Sequence, residues 1–295
     1  MIPVTTTPTA VVADFWADFV EFLRQQLAAR GHEVEPGATD QQLCIQFLNL
    51  LKRLIPPEPR RVLVSDVLAC PEEVRAGFDL LKAKIFEGLD LTPHLSRRIG
   101  RHCNDPLLND WGLHHLHLGI NVDTEGFVEQ GDLILLARFA PGVAYLIDIV
   151  RHRQWTNTDY MEILHRNWPA SIERHRLYGV QVDATPTSDE VSVARRKRFN
   201  TLVRTKDGTV YAPPGGGISG AGSSMEVVRR LDWYRIQIKE WENIVREGAS
   251  RFLEQAARRG SSPTLPLMFK LMIDREGRAI AVEPSQRLAW VLGEV

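Results

Sequence analysis

The sequence predicts an α+β protein: a helical N-terminal block, a small central antiparallel sheet with a helix, and a C-terminal block of two hairpins around a long helix. Three observations carry that prediction. Apolar residues in 1–93 recur at helical spacing. The middle of the chain holds short apolar runs bounded by turn residues, and near the C-terminus two hairpin patterns flank a heptad-like stretch.

Taken in order, Phe15, Phe19, Phe22, Leu23 and Leu27 line one face of a first helix, with Gly31 as its stop. Thr39 or Asp40 caps a second, which carries Leu43, Phe47, Leu50, Leu51 and Leu54 on one side and ends at Pro56-Pro57. Residues 61–65 read as a short strand. Residues 71–87 read as a third helix, opening with Pro71 and two acids at the end where the helix dipole favours negative charge. The middle block, 94–178, holds strands over 113–118, 133–139 and 143–150, the last two joined through Pro141-Gly142 as a hairpin. A helix follows from Thr156 or Thr158 to about Trp168, where Pro169 interrupts it.

The last block, 179–295, contains the basic run Arg195-Arg196-Lys197-Arg198 and a hairpin over 200–212 that turns at Asp207-Gly208. A glycine loop over 215–222 leads into a long helix with Ser223 and Glu226 spaced as a capping box. Val227, Leu231, Tyr234, Ile238, Trp241, Val245 and Phe252 mark its apolar stripe, interrupted at Gly248 and ended by Gly260. A final hairpin pairs 265–273 with 278–282 across Asp274–Gly277.

Formal net charge is −1 from 36 basic and 37 acidic residues, which removes any whole-chain argument for a polyanion binder. The blocks differ, at −4 for 1–93, −1 for 94–178 and +4 for 179–295. RNA phosphates therefore have a candidate surface in the basic C-terminal patch, and protein partners in the acidic N-terminal helices or the long C-terminal helix. Cys44, Cys70 and Cys103 are odd in number with no CxxC spacing, so neither a disulfide framework nor a zinc ribbon is expected. No apolar stretch approaches 18 residues and no signal-peptide pattern opens the chain; the expectation is a cytoplasmic protein without a membrane partner.

Eight of the nine histidines fall in 94–178, a block that holds no lysine. If 113–118 is a strand, His115 and His117 share one face, about 6–7 Å apart, while His114, Leu116 and Leu118 share the other. Two imidazoles at that distance suit acid/base work around a scissile bond, with His152 as a third member. They equally suit ligation of zinc or another divalent transition metal by His115, His117 and His152, with Asp148 as an alternative ligand. Half-buried structural histidines are the bland alternative. Arg151 and Arg153 flank His152 just past a strand end, where guanidinium groups can hold a phosphodiester, and Tyr145 on the same hairpin can orient one. Gly215, Gly217 and Gly220 match GxGxxG and can cradle phosphate at a helix N-terminus. A dinucleotide site is excluded by the long following helix and the missing acidic residue on a second strand, and a Walker motif by the absence of Gly-Lys-Ser/Thr. A tight connector is the alternative.

Residues 111–168 resemble the core of RelE/ParE-type bacterial toxins. The match is the run Trp111 through Leu118, then Asp132–Phe139, Val143–Val150 and the helix ending at His165-Arg166-Asn167-Trp168. In that superfamily a small antiparallel sheet is followed by a short basic element and a helix, and its ribonucleases cut RNA without metal, using basic and tyrosine side chains on the sheet's open face. The resemblance covers about a fifth of the chain and rests on strand order. This sequence departs from the pattern in having no lysine there, in placing histidines on the first strand, and in embedding the run in a longer chain. The resemblance implies a toxin-like or phage-defence endoribonuclease without a cofactor, and the strand spacing supplies His115 and His117 as its acid and base. A non-enzymatic binding or assembly module and a metal-dependent hydrolase or nuclease are the competing readings.

Overall fold

The computed structural model describes residues 11–100 and 105–295, so His102 and Cys103 lie outside the described residues. The fold is α+β, with strands β1 (Val11–Ala13), β2 (Arg61–Val64), β3 (His114–His117), β4 (Leu133–Ala140), β5 (Val143–Arg151), β6 (Arg176–Leu177), β7 (Val203–Arg204), β8 (Val210–Tyr211), β9 (Leu267–Ile273), β10 (Arg278–Glu283) and β11 (Leu288–Glu294). The α-helices are α1 (Phe15–Ala29), α2 (Asp40–Arg53), α3 (Arg75–Glu87), α4 (Pro106–Trp111), α5 (Asp159–Asn167), α6 (Ser188–Arg196) and α7 (Met225–Arg258). Among the described residues no helix is long and apolar enough to cross a membrane.

Two compact units form, one from the residues up to Cys44 together with Arg229–Val295, the other from Ile45–Val228. The first is organised by a four-stranded sheet in the order β1-β9-β10-β11, in which β1 runs parallel to β9. Asp14 caps α1 by accepting from the Ala17 amide at 3.0 Å. Phe15, Phe19, Leu23 and Leu27 of α1 and Tyr234, Ile238, Trp241 and Val245 of α7 are buried, with Phe19 and Tyr234 ring centroids 5.0 Å apart. The heptad-like stripe of α7 is therefore an internal packing face. Gly248 does not break the helix; it sits against the Trp290 ring, which stacks on Phe269 at 5.0 Å. Neither β1 nor β11 is anticipated by the sequence reading.

In the second unit the central sheet has the order β2-β5-β4-β3, antiparallel except for the β2–β5 pair. Alternation along β3 sends Leu116 to one side and His115 and His117 to the other, opposite Leu136 and Ile134 of β4. The histidine side is roofed by α5, whose Tyr160, Met161 and Leu164 pack with Trp111, Ile134, Leu136, Ile147 and Val150. Burying each such side chain contributes about 1.5–3 kcal/mol, enough to hold strand register against slippage. Strand β3 falls just inside the expected 113–118, and ahead of it Asp105 caps α4 by accepting from the Leu107 and Leu108 amides at 3.0 and 3.2 Å.

Two local readings change in the structure. Arg195 and Arg196 close the helix α6, which Thr187 and Glu190 open with a capping box, and Arg195 pairs with buried Asp110 while lying over the Trp111 ring. Arg195 is thus spent on internal packing rather than on an open basic patch. Glu226 pairs with Lys52 at 3.1 Å, so its carboxylate is engaged by that ammonium at the start of α7.

A backbone contact between α3 and the end of the histidine strand gives a stability test. A Cβ added at Gly77 would meet the Leu118 carbonyl oxygen at 1.7 Å. Helix propensity favours Gly77→Ala by about 1 kcal/mol, but the backbone clash costs more, typically about 1–3 kcal/mol net of relaxation. Chemical denaturation is expected to show Gly77→Ala destabilised and Gly131→Ala, where the added methyl meets open space, close to wild type.

Candidate functional site

Sheet geometry assembles three imidazoles at one end of the covered face. His115 and His117 have ring centroids 6.2 Å apart, as expected for strand neighbours on one face. The His152 amide donates to the Asp132 carbonyl at 3.0 Å, which extends the β4–β5 ladder by one residue. His152 thereby reaches His117, centroid to centroid 5.2 Å. Trp155 closes the group, 5.0 Å from His115 and 5.8 Å from His152. Its loop is held in place because Trp111 Nε1 donates to the Trp155 carbonyl at 3.2 Å and Tyr160 Oη to the Gln154 carbonyl at 3.0 Å.

Outside this ring of four, two further groups orient the histidines. An Asp105 oxygen lies 3.5 Å from His115 Nδ1 while the other caps α4. His94 fixes the end of β3: its Nδ1 lies 2.8 Å from the His117 carbonyl and its Nε2 3.0 Å from Lys84 Nζ. A carbonyl only accepts and an ammonium only donates, so His94 carries its proton on Nδ1 and is neutral.

Burial sets the charge state. Desolvation, then repulsion from His115, His152, His94 and Arg97, pushes His117 down to about 3. Desolvation likewise lowers His115; Asp105 opposes it and Arg53 and His152 reinforce it. On the opposite face His114, edge-on to Phe139, is pushed by burial down to about 4. His117 is 1% exposed, and neither ring nitrogen has a hydrogen-bond partner among the described residues. Both ring nitrogens of His114 are likewise without a partner among the described residues, and leaving a buried polar atom unpaired costs about 1–3 kcal/mol.

The other candidate residues are distributed differently. Arg151 is exposed and pairs with Asp132, and exposed Arg153 adopts a φ of 76° beside His152. Tyr145 packs against Trp168 with tilted rings, centroids 5.0 Å apart, and pairs across the strands with Arg138; it lies five residues from Val150, about 16 Å along β5 from the histidine end. The glycine loop packs on α4: the amides of Gly215, Gly216 and Gly217 donate to the carbonyls of Asp110, Pro213 and Asn109, at 3.0, 2.9 and 2.8 Å. Those donors are committed within the protein. The carbonyl of exposed Gly220 accepts from Arg198 at 3.0 Å. His165 ties α5 to the β7–β8 hairpin, Nδ1 to Tyr211 Oη at 2.9 Å and Nε2 to Asp207 at 3.0 Å. Asp148, half-buried, accepts from the Ile149 amide at 2.8 Å, and burial raises its carboxyl. Among the described residues, no group of three or more His, Cys, Asp or Glu side chains is arranged to hold a metal ion. Asp105, Trp155 and His94 were missed from sequence; only Asp105 carries a local signal, as the cap before Pro106.

Because the folded values of His117 and His114 lie below the ordinary 6.5, their contribution to stability is full above that pH and is lost as pH falls toward 4. Between pH 8 and pH 5 each costs about 2 kcal/mol. Urea denaturation at those two pH values is expected to show His117→Leu losing about 2 kcal/mol less than wild type. Equal losses in the two proteins would place a protonatable, solvated imidazole at 117.

Comparison of the chain with protein-family models finds no match. Comparison with the curated proteins and with the solved structures likewise finds no match.

Proposed function

We propose that the His115–His117–His152 cluster is the acid/base centre of an endoribonuclease, working without a metal. The observation that carries this reading is the buried, unpartnered, neutral His117 at 5.2 Å from half-buried His152. A neutral imidazole offers one lone pair and one N–H, which is what proton transfer requires.

RNA brings its own nucleophile. His152, the more open ring, takes the proton of the 2′-hydroxyl; O2′ attacks phosphorus, and the bond to O5′ breaks. The cluster returns one proton to O5′, so it ends as it began, leaving a 2′,3′-cyclic phosphate and a 5′-hydroxyl. His117 acts behind His152, accepting or passing the proton, and Asp105 orients His115. A phosphate held at the cluster adds a negative charge that opposes the desolvation and repulsion holding His115 and His117 neutral, and so raises their proton affinity when substrate binds. Arg153 is the guanidinium placed to hold that phosphate, Arg151 being tied to Asp132. The half-buried Trp155 ring gives an unpaired base a stacking face. The toxin-like or phage-defence role rests on the sequence resemblance of residues 111–168 to RelE/ParE-type toxins.

The test is labelled RNA and single-stranded DNA with the full chain in excess chelator. RNA is expected to be cut and DNA, which lacks the 2′-hydroxyl, spared. His152→Ala and His117→Ala are expected to lower the rate by about 10²–10⁴-fold, with melting curves confirming that the variants fold. Neutral imidazoles are also the form that binds zinc. Cleavage abolished by chelator and restored by zinc would therefore replace this reading with a metal-dependent one. No cleavage under either condition would leave a binding or assembly module.

A further inference from the structure

Arg138 lies on β4, 8% exposed, on the same sheet face as the histidines but four residues from Ile134, about 13 Å along the strand. Among the described residues it has no carboxylate within ion-pair distance. Its one hydrogen bond there is from Nη2 to the Ser171 carbonyl, at a long 3.4 Å. Burying an ionised guanidinium without a counter-charge costs several kcal/mol. Burial lowers Arg138 to about 10, with Arg174 as the next cause, and so it stays charged at neutral pH.

The surroundings add positive charge and hydrogen-bond donors. Arg174 Nε donates to His175 Nε2 at 2.9 Å, which makes that imidazole neutral with its proton on Nδ1. Burial, then Arg174 and Arg138, pushes His175 down to about 4. The Ser171 hydroxyl is a buried oxygen with no partner among the described residues. Gly112 leaves the space: a Cβ there would sit 2.3 Å from Arg138 Nη1 and 3.4 Å from the Gly215 nitrogen. One carboxylate, Glu226, acts on both Arg138 and His175, and it is already paired with Lys52 at 3.1 Å. Arg138, Arg174 and Lys52 against Glu226 leave a formal charge of +2.

We propose that Arg138, Arg174 and the Ser171 hydroxyl form a binding site for a phosphoryl group. A tetrahedral dianion matches the net charge, accepts a bidentate guanidinium, and has oxygens to spare for the hydroxyl. The backbone of the glycine loop walls this site, although the amides of Gly215 to Gly217 are turned inward. The proposal does not rest on the histidine reading, because binding here requires no turnover.

The test follows the melting temperature of the full chain in low-millimolar inorganic phosphate, with sodium chloride at equal ionic strength and sodium acetate as separate arms. Phosphate alone is expected to raise Tm along a saturating curve. Arg174→Gln, at an exposed side chain, is expected to weaken that response at least tenfold in concentration. Arg138→Met removes the uncompensated charge, so it is expected to raise Tm in phosphate-free buffer and to abolish the phosphate response. An equal rise in chloride or acetate, or a phosphate response unchanged by Arg174→Gln, overturns the proposal.

Discussion

Everything of chemical interest in the second unit depends on the central sheet being covered on the face that carries β3's histidines. Strand alternation commits His115 and His117 to the face that α5 and Trp111 seal, and desolvation there outweighs the stabilisation any neighbouring carboxylate offers. The imidazoles are consequently uncharged. An exposed strand with the same sequence would carry histidines that protonate near their ordinary value and repel one another. Covered, they become a compact set of donors and acceptors whose ring spacing is fixed by the ladder.

The second unit shows two ways of treating buried charge. Arg195 enters the core opposite Asp110, beside the Trp111 ring, and its cost is offset by a partner. Arg138 enters from β4 with no such partner among the described residues, next to a second guanidinium. Fold stability alone favours an apolar side chain at that position, which is why the contrast between these two arginines carries functional weight.

Much of this was legible in the sequence, for local reasons. Helices α1, α2 and α5 and the β4–β5 hairpin follow from apolar spacing, caps and the Pro141-Gly142 turn, all short-range signals. The pairing of His115 and His117 on one face follows from strand period alone. The parallel β1–β9 pair was not legible, since its partners are separated by nearly the whole chain and β1 is three residues long. Trp155 and His94 were hidden for a related reason: they reach the histidines through tertiary packing and not through spacing. In the basic run at 195–198, Arg196, Lys197 and Arg198 are exposed while Arg195 faces Asp110, a difference that composition cannot show.

The proposed chemistry requires His117 to be a neutral, working member of the cluster. Imidazole ¹⁵N chemical shifts, recorded with and without a non-cleavable 2′-O-methyl RNA oligonucleotide at neutral pH, address it most directly. Neutral His115 and His117 signals are expected in the free protein, with shifts at His152 and His117 when the oligonucleotide binds. A charged His117 in the free protein, or an oligonucleotide that leaves both resonances unmoved, would contradict it.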